Sequence, residues 1–472
     1  MTILTGESAL APLSTIRLAF ASWRGQSVNR RIFAAMVTIG SLTAIVKVAS
    51  TLKEMAIARE FGAGDGLDAF LIAYLVPSFA INVVAGSFNA ALIPTFIQVR
   101  VREGREAAQE LYSSVMVCSI TLLVLLSILI AAASPRLLPI LASGFAPEKL
   151  ALTQKLFFIL LPLIPLSGLF ATWAAILNAS ERFALAAIAP IMTPFAVIGM
   201  VLLLGGEWGI YSYAIAIIAG TIIEGALLAR ALSRQNISIV PRWNGLNRQT
   251  RQVMKQYAPM IAAGLLMNST VVVDQAMAAT LGAGSVSALS YGNKVVAMML
   301  GIGSLALSTA ILPQFSRIVS EGDWRSLRHT LKTYARLSFI VTVPLTLAFM
   351  LLSHLIVRVL FERGAFTAND TATISSVQVF YLLQVPFYVA GLLFVRLISA
   401  LKANSILMWG TFISAVTNIT LDYLLMKWLG VSGIALSTSI VYMVSFAFLS
   451  LMAMRALRSA ELELGEAASR CG

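Results

Sequence analysis

Hydrophobic residues in this chain do not alternate with polar ones. They come in long runs separated by short polar loops. Such runs fall near residues 32–52, 68–96, 112–134, 155–177, 183–205 and 210–232, and after a gap near 256–280, 285–316, 334–357, 373–399, 403–426 and 430–454. A bilayer core needs about 20 apolar residues per helix, so each run predicts one membrane-crossing helix. The run lengths and the lack of strand-like alternation argue against a barrel. The fold class this predicts is an all-α polytopic membrane protein with about 12 transmembrane helices in two six-helix lobes.

The second lobe repeats the first. Phe61–Gly64 reads FGAG and Leu281–Gly284 reads LGAG. About thirty residues after each comes a matching line, ALIPTFIQVRVREG at Ala91–Gly104 and AILPQFSRIVSEG at Ala310–Gly322. Gly209–Ala216 (GIYSYAIA) is likewise in register with Gly430–Ser437 (GVSGIALS). Paired halves in a membrane chain mark a transporter whose substrate site lies between them near the bilayer midplane. The expected division is a cytoplasmic segment 1–31, an N-lobe 32–232, a linker 233–255, a C-lobe 256–456 and a cytoplasmic tail 457–472.

Composition agrees with a membrane chain: 58% of the 472 residues are hydrophobic and 12% charged, with mean hydropathy +0.86, against about 25% charged in soluble domains. The formal charge of +13 does not call for nucleic acid, because the basic residues cluster between the apolar runs. Arg17, Arg24, Arg30 and Arg31 precede the first run, and Arg100, Arg102 and Arg105 follow the second. The linker holds Arg234, Arg242, Arg248, Arg251 and Lys255 with no acid from Ala231 to Lys255. Gly205–Trp208 and Leu281–Ser287 carry no basic residue. The positive-inside rule then puts both termini and the linker in the cytoplasm. These loops also attract anionic lipid headgroups. An amphipathic stretch from Leu10 to Arg24 suits the inner membrane surface. The two cysteines and two histidines form no disulfide framework or metal spacing.

Ionisable residues at membrane depth are costly and normally face a cavity. The first run holds Lys47, with Lys53 and Glu54 near its outer end; Lys47 and Glu54 share a helix face. Asp68 opens the second run, and Glu224, Asp274, Lys294, Arg396 and Asp422 lie in later ones. Lysines lead in the first helices of both lobes, a set suited to an anion such as a phosphate or pyrophosphate. Lys47, Lys53, Asp68, Lys294 and Arg396 are therefore candidate substrate-binding residues, and Asp274, Asp422 and Glu224 candidate ion-coupling residues. Each has a plainer reading. Lys53, Asp68, Lys294 and Arg396 stand near enough to helix ends to snorkel; Glu224 has Arg230 within reach; Asp274 and Asp422 suit structural pairing with Asn268 or Asn418.

Prolines 77, 94, 162, 165, 190, 194, 259, 313, 344 and 386 punctuate the runs and predict kinks. No phosphate-binding GxxxxGK[ST], HExxH or GxSxG is present, so no enzyme activity and no cofactor are expected. Energy would come from the membrane potential or an ion gradient.

The run Lys53–Pro77 (KEMAIAREFGAGDGLDAFLIAYLVP) resembles the first- and second-helix signature of the MviN/MurJ group, the bacterial lipid II flippases. Ser290–Arg317 and Val359–Thr371 (VLFERGAFTANDT) resemble it too. The resemblance implies the fold of the multidrug/oligosaccharidyl-lipid/polysaccharide exporters: two six-helix bundles in a V around a cationic cavity in the bacterial inner membrane. Its implied cargo is a polyprenyl-pyrophosphate-linked saccharide, with membrane lipids and glycan synthase or polymerase machinery as partners. By position, the cavity arginines of these flippases fall on Lys47, Lys53 and Lys294, and their acid at the start of the second helix on Asp68. Charge is kept, but lysine lacks arginine's bidentate fork. Where the family has a basic pair and then a glutamate, this chain has Ile81, Asn82 and Gly86. The two additional C-terminal helices of those flippases have no counterpart in this sequence. Both departures from the lipid II flippases fit a relative dedicated to another polyprenyl-pyrophosphate saccharide, such as an exopolysaccharide or O-antigen repeat unit, so the expected cargo is lipid II or such a unit. A cation-coupled multidrug antiporter of the same superfamily is the competing function, and it would call for a cavity of acids and aromatics. A non-transporting scaffold for a glycan synthase complex is a third.

Overall fold

The structure, a computed structural model, describes residues 28–180, 182–245 and 247–471. The amphipathic stretch 10–24, with Arg17 and Arg24, lies outside the described residues. Within them every regular element is helical. In the first half these are α1 (Val28–Phe61), α2 (Asp65–Ala80), α3 (Gly86–Arg102), α4 (Arg105–Leu141), α5 (Pro147–Leu160), α6 (Leu163–Ala179), α7 (Phe183–Ile188), α8 (Met192–Trp208) and α9 (Ile210–Ser233). In the second half they are α10 (Arg248–Ala279), α11 (Ser285–Glu321), α12 (Trp324–Leu351), α13 (Ser353–Phe361), α14 (Ala368–Leu382), α15 (Val385–Ala400), α16 (Ser405–Leu429) and α17 (Val431–Cys471).

Among the described residues eight segments are long and apolar enough to cross a membrane, from Asp65–Val84 to Val431–Ser459. The four other predicted runs are also helical: α1, α10, α11 and α16. These four carry most of the candidate polar residues: Lys47, Lys53, Asp274, Lys294 and Asp422.

Local chemistry sets the boundaries. Gly62, Gly209, Gly322 and Gly430 follow the last residues of α1, α8, α11 and α16 at φ of 59°, 51°, 70° and 56°, positive values that glycine adopts without strain; Gly322 has the left-handed geometry of a helix cap. Gly209 and Gly430 are the matched glycines of the sequence repeat. Asp323 starts α12 by accepting from the Ser326 backbone N–H at 2.9 Å. Thr367 and Asp370 cap α14 reciprocally, a capping box.

Pro77, Pro94, Pro259 and Pro344 lie within helices, whereas Pro162 and Pro190 mark breaks between them. Just beyond Pro77 the backbone widens into one π-helical turn, Ile81–Ala85. Ile81 and Asn82, two of the three family-departing positions, lie in that turn, and Gly86 opens α3. The Val84 carbonyl there accepts a hydrogen bond from the Tyr257 hydroxyl of α10 at 2.9 Å.

Buried apolar side chains form three clusters. One spans both halves at the end that holds the turns 62–64 and 280–284, here called the upper end. It joins Ile57, Phe70, Ile72 and Tyr213 to Val286, Tyr291, Phe361 and Tyr381. Toward the linker end the interior divides. One cluster belongs to the first half, with Val253 and Tyr257 of α10 leaning on it, and the other, around Ile311, Phe315, Leu327 and Leu397, to the second half alone. Lipid tails are as apolar as leucine, so cohesion here rests on close packing of small residues, aromatic contacts and hydrogen bonds. The upper cluster is rich in alanine (Ala58, Ala69, Ala73, Ala278, Ala279, Ala288) and stacks Phe70 on Tyr213 with ring centroids 4.0 Å apart. The halves thus share one apolar core at the upper end; toward the linker the cores are distinct, and α10 of the second half packs on the first.

Candidate functional site

Beneath the joined upper end, the first half meets the second through one acid and two lysines. Glu54 of α1 is nearly buried, its side chain 13% exposed, and its Oε1 accepts from Lys53 Nζ at 2.9 Å and from Lys294 Nζ of α11 at 3.0 Å. The Lys294 side chain is 39% exposed. Two cations against one anion leave a net positive charge there. Lys47 lies six residues earlier on α1, about 9 Å along the axis toward the linker; it is exposed, and no ion pair joins it among the described residues. Tyr74 and Tyr213 stand close enough to Lys294 to feel its charge. An excess of ammonium groups supplied from both halves suits a multiply charged anion.

Asp68 has a different place from the one expected. It is fully buried in the first turn of α2, at the upper end. It accepts from the backbone N–H of Gly284 at 2.7 Å and of Ser287 at 2.8 Å, and from the Ser287 hydroxyl. Lys149 of α5 adds an ion pair at 2.9 Å and also reaches Asp65 at 2.6 Å. The carboxylate therefore sits on the N-terminus of α11, where unsatisfied N–H groups and the helix dipole favour an anion. The expectation of a cavity-facing Asp68 is corrected: its acceptor sites are taken up by the contact between the halves.

The third polar site lies inside the second half. Asp274 of α10 is 8% exposed and Asp422 of α16 is fully buried, and the two carboxyl groups face one another. The Asn418 amide donates to Asp274 Oδ1 at 3.1 Å, and the Thr438 hydroxyl of α17 approaches Oδ2 at 3.5 Å. Both Asp422 oxygens and Asn418 Oδ1 are buried without a hydrogen-bond donor among the described residues. Two acids wrapped by acceptor oxygens is an arrangement that a monovalent cation or a proton would complete. Asp274 is paired with Asn418, as the plainer reading expected, yet the acceptors left over go beyond simple pairing.

The two remaining candidates stand apart. Glu224 of α9 is turned toward Thr193 of the neighbouring helix, and no ion pair joins it to Arg230 among the described residues. Arg396, on α15, is flanked by Leu393 and Leu397, which pack with Ile311 of α11, 17 residues and so about 25 Å along that helix from Lys294. The structure does not bring Arg396 to the Glu54 site.

The sequence reading did not assign roles to Glu54, Lys149 and Ser287. These declare themselves only when helices far apart in sequence are brought together.

Two similar helical halves with charged groups from both at their junction define a two-lobed membrane transporter of the exporter superfamily expected above. The chain belongs to the lipid II flippase MurJ family, whose profile matches residues 57–467. A probable lipid II flippase MurJ of Thermotoga maritima is 28% identical over 414 residues, covering 86% of this chain and 82% of that protein. A probable lipid II flippase MurJ of Synechocystis is 28% identical over 447 residues, covering 92% and 82%. Among solved structures, a lipid II flippase MurJ in an inward closed conformation superposes with a TM-score of 0.77 over 90% of each chain at 23% identity. An inward-facing multidrug resistance MATE family transporter of the MOP superfamily superposes with 0.72 over 90% of this chain and 99% of that one, at 15% identity. At such identities the structural likeness establishes the fold.

Proposed function

We propose that this chain is a flippase that carries a polyprenyl-pyrophosphate-linked saccharide, lipid II or a related repeat unit, from the inner to the outer leaflet by alternating access. Family membership supports a lipid-linked cargo. The observation that carries the reading is the cluster of Lys53 and Lys294 on Glu54, because it places ammonium groups from both halves on one acid between them. A pyrophosphate entering from the linker side would compete with Glu54 for the same two lysines, with Lys47 along its way. Cationic drugs would be repelled there, which disfavours the antiporter reading despite the shared fold.

In this reading the upper end faces outward and the Arg-rich linker and both termini are cytoplasmic, in a bacterial inner membrane. A cysteine placed singly at Gly282 should label with an impermeant thiol reagent from outside, and one at Asn236 should not; the reverse pattern overturns the orientation. Asp274 and Asp422, with Asn418 and Thr438, would bind the ion whose gradient, or whose movement in the membrane potential, drives the cycle.

The direct test is complementation of a flippase-deficient strain. Lys53→Ala and Lys294→Ala should each abolish growth while the protein remains in the membrane at normal level, and Arg at either position should restore at least part of it. Normal growth with both alanine variants would reject the cationic site.

A further inference from the structure

Besides the side chains of Asp68 and Glu54, the halves are joined at the upper end by bare backbone. The turn between α13 and α14, residues 362–367, reaches across from the second half to the end of α1. The Ala365 N–H donates to the Arg59 carbonyl at 2.8 Å. That carbonyl is in the last turn of α1, where no N–H of its own helix is available. The approach is too close for side chains. A Cβ on Gly364 would lie 2.2 Å from the Arg59 oxygen, and one on Gly62 would lie 2.5 Å from the Ala365 oxygen. Both glycines also have left-handed φ, 62° and 59°.

The turn is braced on its own side. The Arg363 N–H donates to the Phe361 carbonyl at 2.7 Å, the Thr371 hydroxyl donates to Glu362 at 2.7 Å, and the Thr367–Asp370 capping box fixes its far end. Phe361 and Phe366 are buried against Tyr291 of α11, with ring centroids 5.0 and 5.5 Å from it. Tyr291 is three residues from Lys294, and Arg59 is five residues from Glu54. The turn therefore ties the outer ends of the same two helices whose side chains meet at the candidate site.

We propose that residues 362–367 are a backbone latch that holds the upper end shut and must release Arg59 before the halves separate there. The proposal rests on the alternating-access reading. A single neutral hydrogen bond between pre-shaped backbones suits a contact made and broken every cycle, since it adds specificity without a deep trap.

Glycines elsewhere supply matched controls. Gly209 and Gly430 have φ of 51° and 56°, and a Cβ on either meets nothing within 4 Å, so alanine there imposes the strain of positive φ without touching the contact. The experiment uses the full chain lacking Cys118 and Cys471, with spin labels on Glu207→Cys and Asn369→Cys at the upper ends of the two halves, reconstituted in nanodiscs for distance measurement. Gly62→Ala and Gly364→Ala, on opposite sides of one contact, should each raise the long-distance fraction at least tenfold, while Gly209→Ala and Gly430→Ala keep the parent distribution. Asp68→Asn serves as an independent way of loosening the same end. If Asp68→Asn lengthens the distance and neither latch variant does, the latch is wrong and the rocking motion stands. Equal shifts in all four alanine variants also remove the latch, since strain alone would explain them. If no variant, Asp68→Asn included, separates the labels, the rocking motion falls and the latch with it.

Discussion

The cluster at Glu54 and the acid pair at Asp274 are both charged sites at membrane depth, but they are built in opposite ways. The first has an excess of cations, takes Lys53 and Glu54 from one half and Lys294 from the other, and leaves Lys294 partly open. The second has an excess of anions, draws its members from α10, α16 and α17 of one half and is closed. A site shared between two bodies is remade whenever the bodies move, so cargo and lobe position are linked directly. A site inside one body survives rigid rotation. It acts only by changing how its own helices pack, and α10 is placed for that because it also leans on the first half through Val253 and Tyr257.

The most forceful way to break this comparison is Glu54→Gln. With the internal anion gone, a pyrophosphate no longer competes for Lys53 and Lys294. Binding of a short-chain lipid pyrophosphate to purified protein should tighten about tenfold, or roughly 1.4 kcal/mol, while complementation is lost because the bridge between the halves cannot re-form. Unchanged or weaker binding by a folded variant would show that Glu54 is a fixed structural partner, and the two sites would then differ in charge alone.

A smaller effect sharpens the other side. Asp422→Asn removes one of two facing buried carboxyl groups, the one whose oxygens have no donor among the described residues. The expected result is a higher melting temperature in detergent, by about 1–2 kcal/mol of relieved burial and like-charge cost, or a few degrees. Any stabilisation of the parent protein by added sodium should vanish in the variant. A variant that melts lower and still responds to sodium would rule out the acid pair as an ion site.

Part of this was legible in the chain. A lysine in an apolar run states its own cost, so Lys53 and Lys294 stood out without any knowledge of their surroundings. The repeat was legible for a related reason: Gly209 and Gly430 each follow a helix at positive φ, which glycine takes without strain, and both halves end a helix in the same place. Pairing was not legible. Glu54 and Lys294 are 240 residues apart and Asp68 and Ser287 are 219 apart, and nothing local distinguishes an acid that faces a cavity from one that caps a distant helix. Asp68 was misplaced for that reason. Prolines were read uniformly as kinks, yet whether a proline bends a helix or ends it depends on whether neighbours re-satisfy the carbonyl it frees. Near Pro77 the helix instead widens, and Tyr257 serves the Val84 carbonyl from across the junction.

The division of the apolar interior into one shared cluster at the upper end and two separate ones toward the linker has a mechanical consequence. At the upper end the halves share one core; toward the linker they hold two, with α10 of the second half lying on the first. Within the rocking cycle proposed above, lateral pressure from the bilayer would act unequally on the two ends, a crowded linker-side leaflet pressing the two cores together and a loose one letting them part.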